Sequence, residues 1–344
     1  MKPVHHFCLH SIVALCLLVF PGKSFCQTSG QQALQPSLPK VIVSVRPLYG
    51  IVAALTQGIL DPLLFLESGD SPHTYALKPR DISNLHKADL FIWIGKSYEG
   101  FLVRPVHTLS PHKVLTAEAL PGLHVLPLRT GGWWAEHSHH EERADTPQHH
   151  HGHGHHHHHD TNDGHIWLDP DNAIVIAKAV TERLVKLIPQ EKNRLEKNRD
   201  VFLQELDLVK KEVTQQTQKI QGHPFVVFHD SYQYFEVAFG LKSAGSVLLD
   251  PEMPASAKHI EHLKEALRQR QARCLFKEPQ FESTLITTLA EHSGCQQGEL
   301  DPLGTHVPLS SQHYFGLLRQ LAHQLTQCLE RDADNHKGGA VNGE

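Results

Sequence analysis

A histidine-rich segment at residues 136–160 carries the greatest density of potential ligand atoms in this chain. Neutral imidazole is the commonest metal ligand among side chains, and it favours zinc, copper, nickel and iron over calcium or magnesium. The segment is internal, irregular and interleaved with acidic residues, which argues against an expression tag or a linker without a role. We therefore expect a loose, multidentate metal collector, the histidine-rich loop. Its candidate ligands are His137, His139, His140, His149, His150, His151, His153, His155, His156, His157, His158 and His159.

Four other residues, His73, His165, His229 and Asp301, stand just after segments that have the pattern of strands. A single histidine in such a position is more often an ordinary structural residue, but two candidates in each half of the chain favour a shared site. Three imidazoles and a carboxylate form an N₃O set that suits tetrahedral zinc. Manganese could use the same ligands, especially with a bidentate carboxylate.

The elements that would position these residues alternate between short apolar runs and stretches with helical spacing. Val41–Val45 and Asp89–Gly95 are typical of buried strands before the histidine-rich loop, and Phe225–Phe228 and Ala272–Phe276 after it. Such alternation predicts an α/β fold with two lobes, each a mostly parallel sheet flanked by helices. A long charged amphipathic stretch, 190–220, is expected to form a rigid helix that joins the lobes.

The 344 residues fit about two ordinary domains. The expected layout is a signal peptide at 1–26, an N-terminal lobe at 27–170 that includes the histidine-rich loop, linking helices at 171–221, a C-terminal lobe at 222–330 and a disordered tail at 331–344.

The N-terminus has the pattern of a cleavable signal peptide. Lys2 precedes the apolar run Ser11–Phe20, and the small and polar stretch Pro21–Gln27 follows. The apolar run is shorter than the roughly 20 residues that a membrane-spanning helix needs. Cleavage after Cys26 and export into an oxidising compartment are expected.

Removal of the leader would leave Cys274, Cys295 and Cys328 in the mature chain. An oxidising compartment permits one disulfide and one remaining thiol. The spacing of the three cysteines leaves the pairing open.

Composition and missing motifs exclude several functional classes. A formal net charge of −5 without a basic stripe argues against a nucleic-acid partner. The chain has no H-E-x-x-H, no C-x-x-C, no glycine-rich phosphate loop and no nucleophile elbow. We therefore do not expect an enzyme.

Several blocks together resemble the metal-specific solute-binding proteins of bacterial ABC importers, most closely their periplasmic zinc-uptake branch of the ZnuA type. The blocks occur in the right order between about Val41 and Leu329. They are S-P-H-T-Y-A-L-K-P-R-D, K-A-D-L-F-I-W-I-G, H-I-W-L-D-P, F-V-V-F-H-D-S-Y-Q-Y-F, E-P-Q-F and L-D-P-L-G-T, together with the central histidine-rich insertion.

The resemblance implies that zinc is held between the lobes by His73, His165 and His229. Zinc-type members can place an acidic residue immediately before the first histidine, where this chain has Pro72. The fourth ligand is therefore left open between Asp301 and a water.

The resemblance also implies a disulfide between Cys274 and Cys328. Two carboxylates beside the expected ligands, Asp230 and Glu278, are candidate acceptors that would orient the imidazoles. The alternative of a surface carboxylate or a helix cap is about equally supported for each.

The expected function is that of a monomeric periplasmic protein that binds zinc with high affinity and delivers it to an inner-membrane ABC permease with its cytoplasmic ATPase. Within the same family, manganese or iron is the alternative cargo. A periplasmic zinc buffer or chaperone and, from another class, a zinc hydrolase with an open coordination position remain as further alternatives.

Overall fold

The computed structural model describes residues 38–67, 71–129, 162–248, 251, 257–270, 272–282 and 284–335. The predicted signal peptide, the histidine-rich loop with all its candidate ligands, and residues 336–344 of the predicted tail lie outside the described residues.

The first lobe is built on a parallel sheet in which the strand order is β2-β1-β3-β4. Its strands are β1 Val41–Val43, β2 Leu63–Leu64, β3 Leu90–Trp93 and β4 Val114–Thr116, and its helices are α1 Arg46–Leu55, α2 Pro79–His86 and α3 Val103–His107. Strand β1 is central and buried on both faces, which explains its uninterrupted Val-Ile-Val run.

The second lobe repeats this architecture with a parallel sheet in the order β6-β5-β7-β8. Its strands are β5 Phe225–His229, β6 Gly245–Leu248, β7 Cys274–Lys277 and β8 Gln296–Glu299, and its helices are α6 Gln233–Phe239, α7 Ala257–Arg270 and α8 Thr284–Ser293. Both lobes are therefore mostly parallel α/β units, as the sequence predicts.

Two long helices, α4 Pro170–Leu187 and α5 Lys192–Thr217, connect the two sheets along the chain. Helix α5 buries Leu206, Val209 and Val213 at a spacing of three to four residues, so a single apolar stripe faces inward, and charged and amide residues form most of the remaining surface. It packs against α1, α4 and the C-terminal helix α9, His313–Asn335.

The C-terminal helix differs from the expectation in two respects. It extends to Asn335, so residues 331–335 are helical rather than part of a disordered tail. It also packs against α1 of the first lobe as well as β8 of the second. The apolar positions Leu318, Leu321 and Leu325 are buried in the same cluster as α1 and α5, and this burial holds the helix between the lobes.

Alternation along the strands distributes side chains between separate clusters of buried residues. In β5, Phe225 and Val227 belong to the main core, whereas Val226 and Phe228 belong to a second cluster under α7 and α8. The period of two follows from the pleat, which directs successive side chains to opposite faces of the sheet.

A disulfide links Cys274 of β7 to Cys328 of α9. Its Cα atoms are 6.2 Å apart, within the ordinary range for a disulfide. Cys295 packs against the second cluster, on the other face of the sheet from Cys274. Among the described residues, no helix combines the length and apolar character that crossing a bilayer requires.

Candidate metal centre

Three histidines are brought together at the ends of structural elements. His229 is the last residue of β5, His165 directly precedes a short 3-10 helix, Ile166–Leu168, and His73 lies in the loop between β2 and α2. Because the carboxyl ends of parallel strands open onto a cleft, such positions favour ligand sites. The first lobe and its link to α4 supply two of these histidines, and the second lobe supplies the third.

The imidazoles of His73, His165 and His229 each contribute one nitrogen to a group in which all three atoms lie within 4.8 Å of one another. The ring centroids are 5.3–5.8 Å apart. His165 and His229 are only 5% and 3% exposed, so the group is enclosed by protein.

The spacing between His165 and His229 matches that of two ligands on one ion. Their Nε2 atoms are 3.4 Å apart. Two ligands at about 2.05 Å from a tetrahedral zinc stand about 3.3 Å apart.

Carboxylates fix the orientation of both rings. Asp163 Oδ1 lies 2.7 Å from Nδ1 of His165, and Glu278 Oε1 lies 2.7 Å from Nδ1 of His229. Because a carboxylate accepts hydrogen bonds, each Nδ1 carries the hydrogen and each Nε2 presents its lone pair to the shared centre. Two lone pairs that face each other at this distance repel unless a cation lies between them, so the arrangement suits a divalent metal.

Burial and neighbouring charges set the protonation of the group. Burial lowers the pKa of His73 and His165 well below the usual range, and the nearby charge of His229 adds to this effect. Burial also opposes a charge on His229, but the Glu278 carboxylate outweighs it and raises the pKa of His229. Burial raises the pKa of Asp163 to about 7. A proton on His229 is therefore the main competitor of a metal ion.

Aromatic rings form the wall around the three imidazoles. The Tyr98 ring meets His73 and His165 edge-on, with centroids 5.1 and 5.0 Å away, and Trp167 and Phe281 flank His165 and His229. Apolar walls exclude water and lower the local dielectric, which strengthens ligand–metal electrostatics. Nε2 of His73 is buried without a hydrogen-bond partner among the described residues, so its lone pair is available to a metal ion.

The structure does not bring Asp301 into this group, contrary to its predicted role as a candidate ligand. Asp301 is 1% exposed, and its carboxylate accepts hydrogen bonds from the Leu303 and Thr305 backbones, the Thr305 hydroxyl and the Gln280 amide. In the D-P-L-G-T turn, the short Asp side chain caps the backbone that follows it. Its oxygens are therefore engaged in stabilising the loop.

Asp230 also differs from its predicted role as an acceptor for the ligand rings. Its carboxylate pairs with Arg129 instead, with Nε of Arg129 2.9 and 3.0 Å from its two oxygens. Adjacent residues at a strand end point in opposite directions, so Asp230 faces away from the side on which His229 meets the other histidines. Glu278, in contrast, lies beside His229 where the sequence places an orienting acceptor.

Two contributors escaped the sequence analysis. Asp163 accepts hydrogen bonds from both the backbone and the ring of His165, and the D-G-H spacing of an Asx turn is the signal that could have identified it. Tyr98 lies in the loop that follows β3. Only the fold shows that its ring reaches two of them.

The last residues described before the histidine-rich loop and the first described after it lie side by side. Pro127 and Asn162 form an antiparallel bridge, and the backbone N–H of Asp163 donates to the carbonyl of Leu126. Asp163 is the residue that orients His165. The two ends of the undescribed interval are thus held side by side, next to a candidate ligand.

Comparisons with known proteins agree with this arrangement. The model of the ZnuA family, "Zinc-uptake complex component A periplasmic", matches residues 41–328. The chain is 37% identical over 309 residues to the high-affinity zinc uptake system protein ZnuA of Brucella suis, which covers 85% of this chain and 92% of that protein. It is 36% identical over 294 residues to the protein of the same name from Yersinia pestis, which covers 84% and 91%. A solved structure described as the crystal structure of ZnuA superposes with a TM-score of 0.68 at 21% identity, which covers 85% of this chain and 99% of that one and bears on the fold alone.

Proposed function

The chain belongs to the ZnuA family of periplasmic zinc-uptake components, and from this premise we propose that its three clustered histidines hold the transported ion. The protein is the periplasmic zinc-binding component of an ABC zinc-uptake system. In this proposal, His73, His165 and His229 hold Zn²⁺ between the lobes, and the loaded protein docks on an inner-membrane permease that a cytoplasmic ATPase drives.

One observation carries the assignment of these ligands. Nε2 atoms from two different lobes face each other at 3.4 Å, while a carboxylate holds the opposite nitrogen of each ring. When both Nε2 atoms are deprotonated, the pair buries two lone pairs without a donor, so the arrangement needs either a proton on His229 or a cation between the rings. A zinc ion satisfies both at once, and the third histidine, His73, whose Nε2 is buried, completes the set.

We propose that a water occupies the fourth position on zinc. The hydrogen bonds that Asp301 accepts from Leu303, Thr305 and Gln280 support this choice over a carboxylate ligand. The enclosed walls formed by Tyr98 and Phe281 suit a bound ion in transit. Three histidines and a water are also the ligand set of a zinc hydrolase, so the family, which is one of solute-binding transport proteins, supports transport over that alternative.

Export and the domain layout remain part of the proposal. A signal peptide at 1–26 would deliver the mature chain to the periplasm, and the disulfide between Cys274 and Cys328 suits that oxidising compartment. We retain a first lobe up to residue 170, linking helices at 171–221 and a second lobe from 222. We also propose that the histidine-rich loop collects zinc and passes it to the cleft, a role its composition supports.

The decisive experiment is a competition titration of the mature protein with a zinc chelator of known affinity, repeated with Mn²⁺. Replacement of His73, His165 or His229 with Ala should each abolish the tightest zinc site, whereas His306→Ala, on an exposed histidine paired with Glu299, should not. Zinc should bind far more tightly than manganese because imidazole nitrogens prefer it. Retention of the tightest site in all three ligand variants would contradict the assignment of these ligands. Tighter binding of Mn²⁺ than of Zn²⁺ would indicate that manganese is the transported ion.

A further inference from the structure

An arginine clamp joins the segment before the histidine-rich loop to the second lobe. Nε of Arg129 lies 2.9 and 3.0 Å from the two oxygens of Asp230, and a further contact from Nη2 reaches the same carboxylate. Nη1 and Nη2 of Arg129 lie 2.8 and 3.1 Å from the two oxygens of Glu236. One guanidinium therefore holds two carboxylates, which are themselves only 8% and 4% exposed.

The segment that carries Arg129 is fixed to the first half of the chain. The backbone N–H of His124 donates to the side chain of Asn172 at the start of α4, and Pro127 bridges Asn162. From there, the same segment reaches α6 of the second lobe, because the Gln233 amide donates to the Pro127 carbonyl. Arg129 thus links the segment beside His165 to the turn beside His229, and these two histidines come from different lobes.

The two carboxylates lie on either side of the turn that follows β5. Asp230 is bonded directly to His229 in the chain, and Glu236 lies one helical turn into α6, where it also accepts from the backbone and hydroxyl of Ser243. A planar guanidinium that binds two carboxylates in fork geometry fixes orientation as well as distance. The position of this turn sets where the imidazole of His229 stands relative to those of His73 and His165.

We propose that Arg129 is a positioning residue that locks His229 against the first-lobe ligands and so sets the rate at which zinc leaves the cleft. The inference rests on the proposed function. Separation of the lobes would pull the guanidinium away from two buried carboxylates, and buried charges that lose their partner are strongly unfavourable. The clamp therefore opposes opening, and zinc release requires that it be broken.

The test measures zinc release from the full mature protein into excess chelator by stopped-flow. R129M should release zinc about tenfold faster, within the range usual for residues that act through a ligand. R129K should fall between R129M and the parent, since it keeps the charge but not the fork. R319M is the matched control, because Arg319 also bridges two carboxylates, Glu205 and Glu212, away from the three histidines.

A charge-compensated variant distinguishes the positioning of His229 by Arg129 from a simple neutralisation of the two buried carboxylates. R129M/D230N/E236Q removes the arginine together with both negative charges, so its free energy of unfolding should return towards the parent value while zinc release stays fast. The absorption bands of bound Co²⁺ should be altered in R129M, because they report ligand geometry, and unaltered in R319M. Recovery of slow release in the compensated variant, or unchanged release in both R129M and that variant, would overturn the inference.

H229A is run in parallel to separate this inference from the proposed function. Loss of the slow-release phase in H229A assigns that phase to the cleft rather than to the histidine-rich loop. If H229A loses the phase and R129M does not alter it, the clamp fails and the zinc site stands. If H229A retains it, the proposed zinc site fails, and the clamp fails with it.

Discussion

At the residue scale, the carboxylates of Asp163 and Glu278 determine what the imidazoles of His165 and His229 can bind. Each carboxylate engages Nδ1 of its imidazole, so the ring directs Nε2 towards the cleft. The Glu278 carboxylate also raises the pKa of His229, so the contact that orients this imidazole also makes it bind a proton more tightly. Metal binding must displace that proton.

Zinc affinity is accordingly expected to depend on pH through His229. The affinity should be constant well above the raised pKa of His229 and fall by about tenfold per pH unit below it, because one proton competes with the ion. In Glu278→Gln the pKa of His229 should drop, so this fall should begin at a lower pH. The plateau affinity should weaken by about 10- to 100-fold, because the amide is a poorer orienting acceptor. Chelator competition between pH 5 and 9 measures both effects, and an unchanged midpoint in the variant would contradict the role given to Glu278.

The sequence identifies the ligand candidates better than the residues that support them. His229 is recognisable because it ends an apolar run, and His73 and His165 because they lie in sequence blocks that resemble those of the family. Asp301 lies just after β8, yet the backbone of its own turn engages its carboxylate. Which neighbouring acid orients a ring, Glu278 rather than Asp230, depends on side-chain direction at a strand end, and residue types alone do not determine this.

At the element scale, strands with apolar residues are predictable and the polar edge strand β8 is not. β1 and β5 are buried runs of apolar residues, whereas β8 reads Gln-Gln-Gly-Glu and has no apolar pattern. β8 forms because its backbone completes the ladder of β7. β8 lies at the edge of its sheet and carries polar side chains, so its signal in the sequence is weak.

Helix α5 offers a direct test of its single buried stripe. Leu206→Ala should lower the free energy of unfolding by about 2–5 kcal/mol, because Leu206 is fully buried and its loss leaves a cavity. Leu208→Ala, two residues away and 58% exposed, should change it by less than about 0.5 kcal/mol. Chemical denaturation followed by circular dichroism measures both, and similar losses in the two variants would contradict the assigned face of the helix.

The disulfide joins two elements of different character, an inner strand and the C-terminal helix. Its loop spans 54 residues, so Cys328→Ser should lower the free energy of unfolding by about 4 kcal/mol on the chain-entropy model. Cys295→Ser is the control, because Cys295 lies on the opposite face of the sheet and takes no part in the bond. Denaturation midpoints under non-reducing conditions test this, and an equal loss in both variants would show that the pairing is different.

At the scale of the whole molecule, α9 connects the lobes in addition to the linking helices that the sequence predicts. Helix α9 packs on α1, α5 and β8, and its apolar residues share one core with the first lobe. Domains with a large apolar interface move less freely than those joined by a linker. Opening of the cleft is therefore expected to be a small tilt.

Small-angle X-ray scattering of the apo and zinc-loaded protein tests this expectation. The radius of gyration should agree between the two forms within its uncertainty, because the shared core around α9 must stay intact. The same comparison on Leu321→Ala, which weakens that core, should show a larger difference. A large compaction of the parent protein on addition of zinc would contradict a stiff connection.

The bridge between Pro127 and Asn162 also bears on how this protein can evolve. A chain that leaves and rejoins a fold at one point can change its length there cheaply, since each doubling of a flexible loop costs only about 0.6 kcal/mol. The bridge therefore lets the number of residues between Pro127 and Asn162 change at a small loop-closure cost to the described fold.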